Sequence, residues 1–119
     1  MDLLAFEYGY NDPEYYTPAE FGVALRQLIS QTRANGYSGP IVLVGMPQPN
    51  MAPEWKSKDW GAYLAEMKAI AAVQSNNVAY IGLNNAMPAY PNGPYWADTV
   101  HLNEAGCDLA AQLLTNVLG

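Results

Sequence analysis

An α/β domain built on a parallel sheet is the fold that this 119-residue sequence predicts. Three short apolar runs, at residues 2–8, 41–45 and 78–83, are typical of strands covered on both faces. Each run is followed by a segment with apolar residues at helical spacing. This alternation predicts parallel strands joined by right-handed crossovers. Because ligands of such sheets bind beyond the carboxyl ends of the strands, the loops after the three runs are the candidate site regions.

The first strand is predicted to end at a turn-forming cluster at residues 9–13. Thr17 and Glu20 then form a capping box, with Pro18 at the first helical position. An Asn-Gly pair at 35–36 supplies the stop signal of this helix. Its predicted apolar face consists of Phe21, Leu25, Leu28 and Ile29.

The second strand, at 41–45, leads into a long loop at 46–58 that contains Trp55 and three prolines. A loop of this length in a small domain is more often functional than idle. Residues 59–75 then keep helical spacing, and an Asn-Asn pair ends the pattern. The residues predicted to enter the core from this helix are Trp60, Tyr63, Leu64, Met67, Ile70 and Ala71.

The third strand, at 78–83, is followed by an irregular stretch at 84–98 that is rich in Pro, Tyr and Trp. An amphipathic helix is predicted over 103–118. Cys107 lies within its apolar pattern, so a buried, inert thiol is predicted there. Since it is the only cysteine, it forms no internal disulfide, and the redox compartment stays open. The predicted apolar face is Leu109, Ala110, Leu113, Leu114 and Val117.

Composition and charge narrow the class of protein. Half of the residues are apolar and 13% are charged, which predicts a single globular domain over residues 1–119. Five scattered basic residues against a net charge of −6 argue against nucleic acid as a partner. No apolar run reaches the length of a membrane span. The first residues lack the basic flank and cleavage site of a secretion signal, and the localisation stays open.

The residues best suited to chemistry are Asp98 and His101, the only histidine of the chain. An Asp-x-x-His step lets the carboxylate accept from one ring nitrogen while the other points outward, as in the orienter and base of a nucleophilic triad. The predicted topology brings Asn11, after the first strand, to the same edge of the sheet. Structural roles for His101 and Asn11 remain alternatives. A metal site formed by Asp12, Asp98 and His101 is a weaker alternative, because a set with a single histidine is a poor ligand set.

Two blocks of sequence resemble one known family. The Gly-Tyr-Asn-Asp block at 9–12 is similar to the Gly-x-Asn-Asp block of the SGNH (GDSL-type) hydrolases, which are esterases and lipases. Residues 98–103, followed by Gly106, resemble the final Asp-x-x-His block of that family. The resemblance covers essentially the whole chain but only the C-terminal part of the family's domain. It implies a three-layer α/β/α, flavodoxin-like fold whose sheet is incomplete at its N-terminal side.

The resemblance also implies roles for individual residues. Asn11 would donate its side-chain amide to the oxyanion, His101 would be the general base, and Asp98 would hold the imidazole. Gly9 would permit the turn beside the site, and neither a cofactor nor a metal is implied. The aromatic residues of the loops either line a pocket for an acyl chain, stack on sugar rings, or cover the ends of the core. The substrate-binding candidates are Gly9, Tyr10, Trp55, Tyr95 and Trp96.

The family's nucleophile block, a Gly-Asp-Ser turn, has no counterpart in this chain, nor does the block that supplies its oxyanion-hole glycine. None of the four serines has the context of a nucleophile, so the chain is predicted to lack its own. These serines are Ser30, Ser38, Ser57 and Ser75. Without the family's two preceding strands, the apolar edge at 2–8 would be bare, so we expect it to pair with another copy or with the missing half.

The expected function is therefore that of the C-terminal segment of an SGNH-type ester hydrolase, with an ester as substrate and an acetylated carbohydrate as one candidate. A non-catalytic carbohydrate-binding or interaction module that keeps the fold is the alternative. A fragment without independent function is a third possibility.

Overall fold

The structure, a computed structural model, describes residues 3–6, 15–51, 55, 59–99 and 101–118. The predicted alternation of strands and helices is confirmed. The elements are β1 (Leu4–Phe6), α1 (Pro18–Ala34), β2 (Ile41–Gly45), α2 (Trp60–Ala72), β3 (Val78–Gly82) and α3 (Glu104–Leu118). Two short 3-10 helices, at Gln74–Asn76 and Leu83–Asn85, flank β3. Of the first predicted strand the structure describes residues 3–6, and Leu4–Phe6 of these form β1; the turn cluster at 9–13 lies outside the described residues.

The three strands form a parallel sheet in the order β1-β2-β3. Leu4 pairs with Ile41, and Ile41 pairs with Val78, so the strands start almost level. The fold class is thereby confirmed as α/β, with a small parallel sheet compatible with a flavodoxin-like α/β/α arrangement. All five residues of β2 are buried, as expected for a strand covered on both faces.

Helix α1 begins where the capping box predicts. The Thr17 hydroxyl accepts from the backbone N–H of Glu20, and the Glu20 carboxylate accepts from the backbone N–H of Thr17. The helix buries Phe21, Leu25 and Ile29 against the sheet and α2.

Helix α2 supplies the largest buried side chains. Trp60 and Tyr63 are 3% and 0% exposed, which confirms their predicted place in the core. The Tyr63 ring packs edge to face on Phe21 at 5.5 Å, and its hydroxyl donates to the carbonyl of Tyr16. The Trp60 indole N–H donates to the carbonyl of Met46 at 3.0 Å.

The end of α2 differs from the prediction by three residues. The helix stops at Ala72, and Val73 adopts an extended conformation before a separate 3-10 turn. The side-chain amide of Asn76 donates to the carbonyl of Ile70 at 3.0 Å, which satisfies a helix-end acceptor in place of another helical turn. Asn77 then takes up left-handed geometry, with φ of 52°.

Helix α3 begins at Glu104, because Asn103 Oδ1 accepts from the N–H of Gly106 at 2.8 Å. The prediction of a buried Cys107 is wrong, since the thiol is exposed. In this first turn it is Gly106 that lies against the chain, where a Cβ would collide with the carbonyl of Tyr95. The prediction of Val117 on the apolar face is wrong as well, since this side chain is 64% exposed. The partly buried residues of α3 that pack on the core are Leu109, Ala110, Leu113 and Leu114.

Within the described ranges, no helix combines the length and the apolar character that crossing a bilayer requires.

The amino end of the sheet is closed by Arg33, in the last turn of α1. Its Nη1 donates to the carbonyls of Tyr37 and Gly39, and its Nη2 donates to those of Asn76 and Asn77 at 2.9 and 3.2 Å. The guanidinium also lies 5.6 Å from the centre of the Tyr37 ring. One side chain therefore fixes the turns that precede both β2 and β3.

Replacing Arg33 with methionine is expected to lower the free energy of unfolding by about 2 kcal/mol, because four carbonyls lose a charged donor. The control is Arg26→Met. Arg26 makes one exposed ion pair with Glu66 at 3.1 Å, so its loss should cost less than about 1 kcal/mol. Urea unfolding followed by circular dichroism measures both. Equal losses for the two variants would contradict the proposed role of Arg33.

Candidate active site

The loops that follow β2 and β3 meet beyond the carboxyl ends of the strands. The N–H of Tyr90 donates to the carbonyl of Gln48 at 2.8 Å, and the N–H of Asn50 donates to the carbonyl of Thr99 at 2.9 Å. These two bonds hold the irregular stretch after β3 against the segment after β2. The candidate residues of the final block are thus positioned at the edge that the topology predicts.

A tight turn positions Asp98 and His101. Trp96 and Leu102 form an antiparallel bridge across it, and the N–H of Ala97 donates to the carbonyl of His101 at 2.9 Å. Asp98 Oδ1 accepts from the backbone N–H of His101 at 2.6 Å. The aspartate therefore stabilises the turn as well as facing the imidazole.

The same carboxylate contacts the imidazole ring. His101 Nδ1 lies 2.8 Å from Asp98 Oδ2 and 3.1 Å from Oδ1. A proton on Nδ1 satisfies this contact and leaves Nε2 with a lone pair in the neutral ring. Nε2 makes no hydrogen bond to the described residues, and the His101 side chain is 76% exposed. The pair has the geometry of an orienting acid and a proton acceptor that faces outward.

The structure describes only some of the other predicted site residues. Asn11, Gly9 and Tyr10 lie outside the described residues, so their roles stay predictions. Trp55 is half-buried in the loop after β2. Tyr95 packs on the core, which fits the interpretation of an aromatic residue covering the end of the core.

Trp96, in contrast, lines an open groove of about 500 Å³ beside Asp98. Its ring meets that of Tyr90 edge to face, with the centroids 5.6 Å apart. Tyr90 is one of the loop aromatics for which a pocket-lining or sugar-stacking role was one of the alternatives, whereas Asn103 was not a predicted binding residue. The dense mixture of proline, glycine and aromatic residues at 88–96 was the available signal for this groove. We call it the Trp96 groove; its lining residues are Tyr90, Pro91, Gly93, Pro94, Trp96, Ala97, Asp98 and Asn103.

The described serines and His101 lie toward opposite ends of the sheet. Ser30 and Ser75 line a second groove, of about 540 Å³, which also contains Arg26 and Arg33 at the amino end of the sheet. Ser38 precedes β2 and is at the same end. Ser57 lies outside the described residues. Among the residues whose placement is described, no group of three or more His, Cys, Asp or Glu side chains could hold a metal ion.

The chain is similar to a protein from Lactobacillus plantarum whose crystal structure was determined by a structural genomics consortium. The TM-score is 0.81 at 20% sequence identity, and the similarity covers 98% of this chain and 66% of that protein. Such a likeness concerns the fold alone, and this chain spans about two thirds of that protein's length. No protein-family model and no curated protein matches the sequence.

Proposed function

We propose that this chain carries the acid–base part of an SGNH-type ester hydrolase site. The observation that supports the proposal is the contact of Asp98 with His101 Nδ1 at 2.8 Å, on a turn that leaves the rest of the ring exposed. The block at 9–12 adds the resemblance of Asn11 to an oxyanion donor.

In this proposal a serine oxygen attacks the ester carbonyl while its proton moves to His101 Nε2. The oxyanion collapses, the proton passes to the leaving alcohol, and an acyl-serine remains. Water then attacks the acyl group and gives a proton to Nε2. As the acyl–serine bond breaks, that proton passes to the serine oxygen, so the acid product leaves and the serine hydroxyl is restored. Throughout, Asp98 keeps the Nδ1 proton in place and stabilises the imidazolium that forms.

The nucleophilic serine of this site would come from another polypeptide segment. The described serines lie at the amino end of the sheet or in the segment that leads into β2, whereas Asp98 and His101 follow β3. The edge of β1 is where a further parallel strand could pair, because β1 pairs only with β2 in the described sheet. A second copy of the chain or the missing half of the family's domain is the proposed source.

A second candidate function is a carbohydrate-binding module without catalysis. The feature that favours it is the Trp96 groove, which combines two aromatic rings with a carboxylate while none of the described serines is placed beside it.

Hydrolysis of triacetin in a pH-stat separates the two functions. An alkyl ester is used because a lone surface imidazole cleaves activated phenyl esters by itself. The chain is measured alone and after extension at its amino end with a strand–turn–helix segment that carries a Gly-Asp-Ser turn. We expect hydrolysis by the extended chain, lost in its His101→Ala variant and kept in Glu104→Gln, an exposed control in α3. Hydrolysis that His101→Ala leaves intact, or none in either form, would reject the hydrolase proposal.

A further inference from the structure

We infer that the Trp96 groove binds a neutral sugar ring. The inference rests on the proposed function only in making this sugar the alcohol part of the ester; the binding itself does not depend on catalysis. The groove, of about 500 Å³, has the volume of a small-molecule site and is open at the surface.

The aromatic pair supplies the apolar wall. Tyr90 and Trp96 meet at an interplanar angle of 88°, so the two rings form a corner instead of a closed stack. Both side chains are only partly buried. A pyranose has one face of C–H groups, which packs on an aromatic surface, and a rim of hydroxyls, which needs polar partners.

Two polar groups belong to residues that line the groove. Asp98, whose side chain is 56% exposed, can accept from sugar hydroxyls while it also contacts His101. Trp96 Nε1 is a buried donor without a hydrogen-bond partner among the described residues. A buried donor without an acceptor is unfavourable, so a ligand that gives it a hydroxyl oxygen, after a small rotation of the indole, is favoured.

The negative charge of the groove favours a neutral ligand over an anionic one. The lining residues include the carboxylate of Asp98 and neither lysine nor arginine. The chain as a whole carries a net charge of −6. An anionic sugar or a phosphate would therefore be repelled, and the proline and glycine turns of the groove offer little continuous apolar surface for a long acyl chain.

Hydrogen bonds hold most of the backbone around the groove before a ligand arrives. Asn103 Nδ2 donates to the carbonyl of Pro94 at 2.8 Å, and the N–H of Asn92 donates to the carbonyl of Ala89 at 2.9 Å. The bond from Tyr90 to Gln48 ties one aromatic wall to the segment after β2. A groove that is already ordered loses less conformational entropy on binding.

The indole signals of the wild-type chain in nitrogen-15 NMR test this inference. The probes are xylotetraose, cellotetraose and chitotetraose, each raised to about 10 mM, with trigalacturonate as the anionic comparison. We expect at least one neutral sugar to shift the Trp96 indole N–H and to leave that of Trp60 unchanged, since Trp60 already donates to Met46. No shift with any neutral sugar, or a larger shift with trigalacturonate, overturns the inference.

Two variants add a second readout. Trp96→Phe keeps a ring for packing but removes the donor, so the affinity should fall about tenfold; Tyr15→Ala, at a 59% exposed tyrosine, should leave it unchanged. Equal affinity in Trp96→Phe and the wild type contradicts the assigned role of the donor.

The binding measurement and the triacetin assay are independent. Loss of hydrolysis with sugar binding intact rejects only the hydrolase, and hydrolysis without binding rejects only the sugar groove.

Discussion

Replacing Asp98 with asparagine is expected to slow the His101-dependent hydrolysis by about 10⁴-fold. The carboxylate lies 2.8 Å from His101 Nδ1, where it can accept a hydrogen bond from a proton carried on that nitrogen. An asparagine amide can present N–H there instead, which favours the tautomer with the proton on Nε2 and leaves no lone pair for the nucleophile. It also removes the negative charge that stabilises the imidazolium.

The extended, serine-bearing chain gives the rate, and the chain alone gives the tautomer. Because His101 is the only histidine, its two ring nitrogens give one unambiguous pair of nitrogen-15 signals. We expect the wild type to carry its proton on Nδ1 at high pH and Asp98→Asn to move it to Nε2. Asp108→Asn, an exposed aspartate in α3, serves as the control. An unchanged tautomer in Asp98→Asn would show that the carboxylate does not orient the ring.

Replacing Tyr63 with alanine is expected to lower the free energy of unfolding by about 3–5 kcal/mol. The side chain is fully buried, and its ring packs on Phe21 at 5.5 Å and on Trp60 at 6.1 Å. Alanine leaves a cavity between α1, α2 and the sheet, and the carbonyl of Tyr16 loses its donor.

Urea unfolding followed by circular dichroism measures this loss. Tyr63→Phe keeps the ring and removes only the hydroxyl, so it should cost about 1 kcal/mol. Tyr15→Ala, at an exposed tyrosine, should cost less than about 0.5 kcal/mol. If Tyr63→Phe were as damaging as Tyr63→Ala, the hydroxyl and not the packing would be the main contribution.

Local signals in the sequence were enough to predict most of the fold. The capping box at Thr17 and the all-apolar run at 41–45 placed α1 and β2 to within a residue, because both depend on neighbours in sequence. The end of α2 was missed since it depends on Asn76 reaching back to Ile70. The exposure of Cys107 was missed because helical spacing alone does not fix how the first turn of α3 meets Tyr95.

The candidate site was partly predictable for the same reason. The spacing of Asp98 and His101 is a local signal, and the structure brings their side chains together. The Trp96 groove depends also on bonds between loops, such as that from Tyr90 to Gln48. The proline-, glycine- and aromatic-rich composition of 88–96 indicates a site region but does not fix those bonds. The roles of Asn11, Gly9 and Tyr10 remain predictions, since they lie outside the described residues.

The pairing of Asn50 with Thr99 has a consequence for how the molecule would respond to an occupant. Two irregular segments that share hydrogen bonds cannot fluctuate independently, so immobilising one restricts the other. A ligand that contacts only the segment after β2 should therefore also restrict the segment that follows β3.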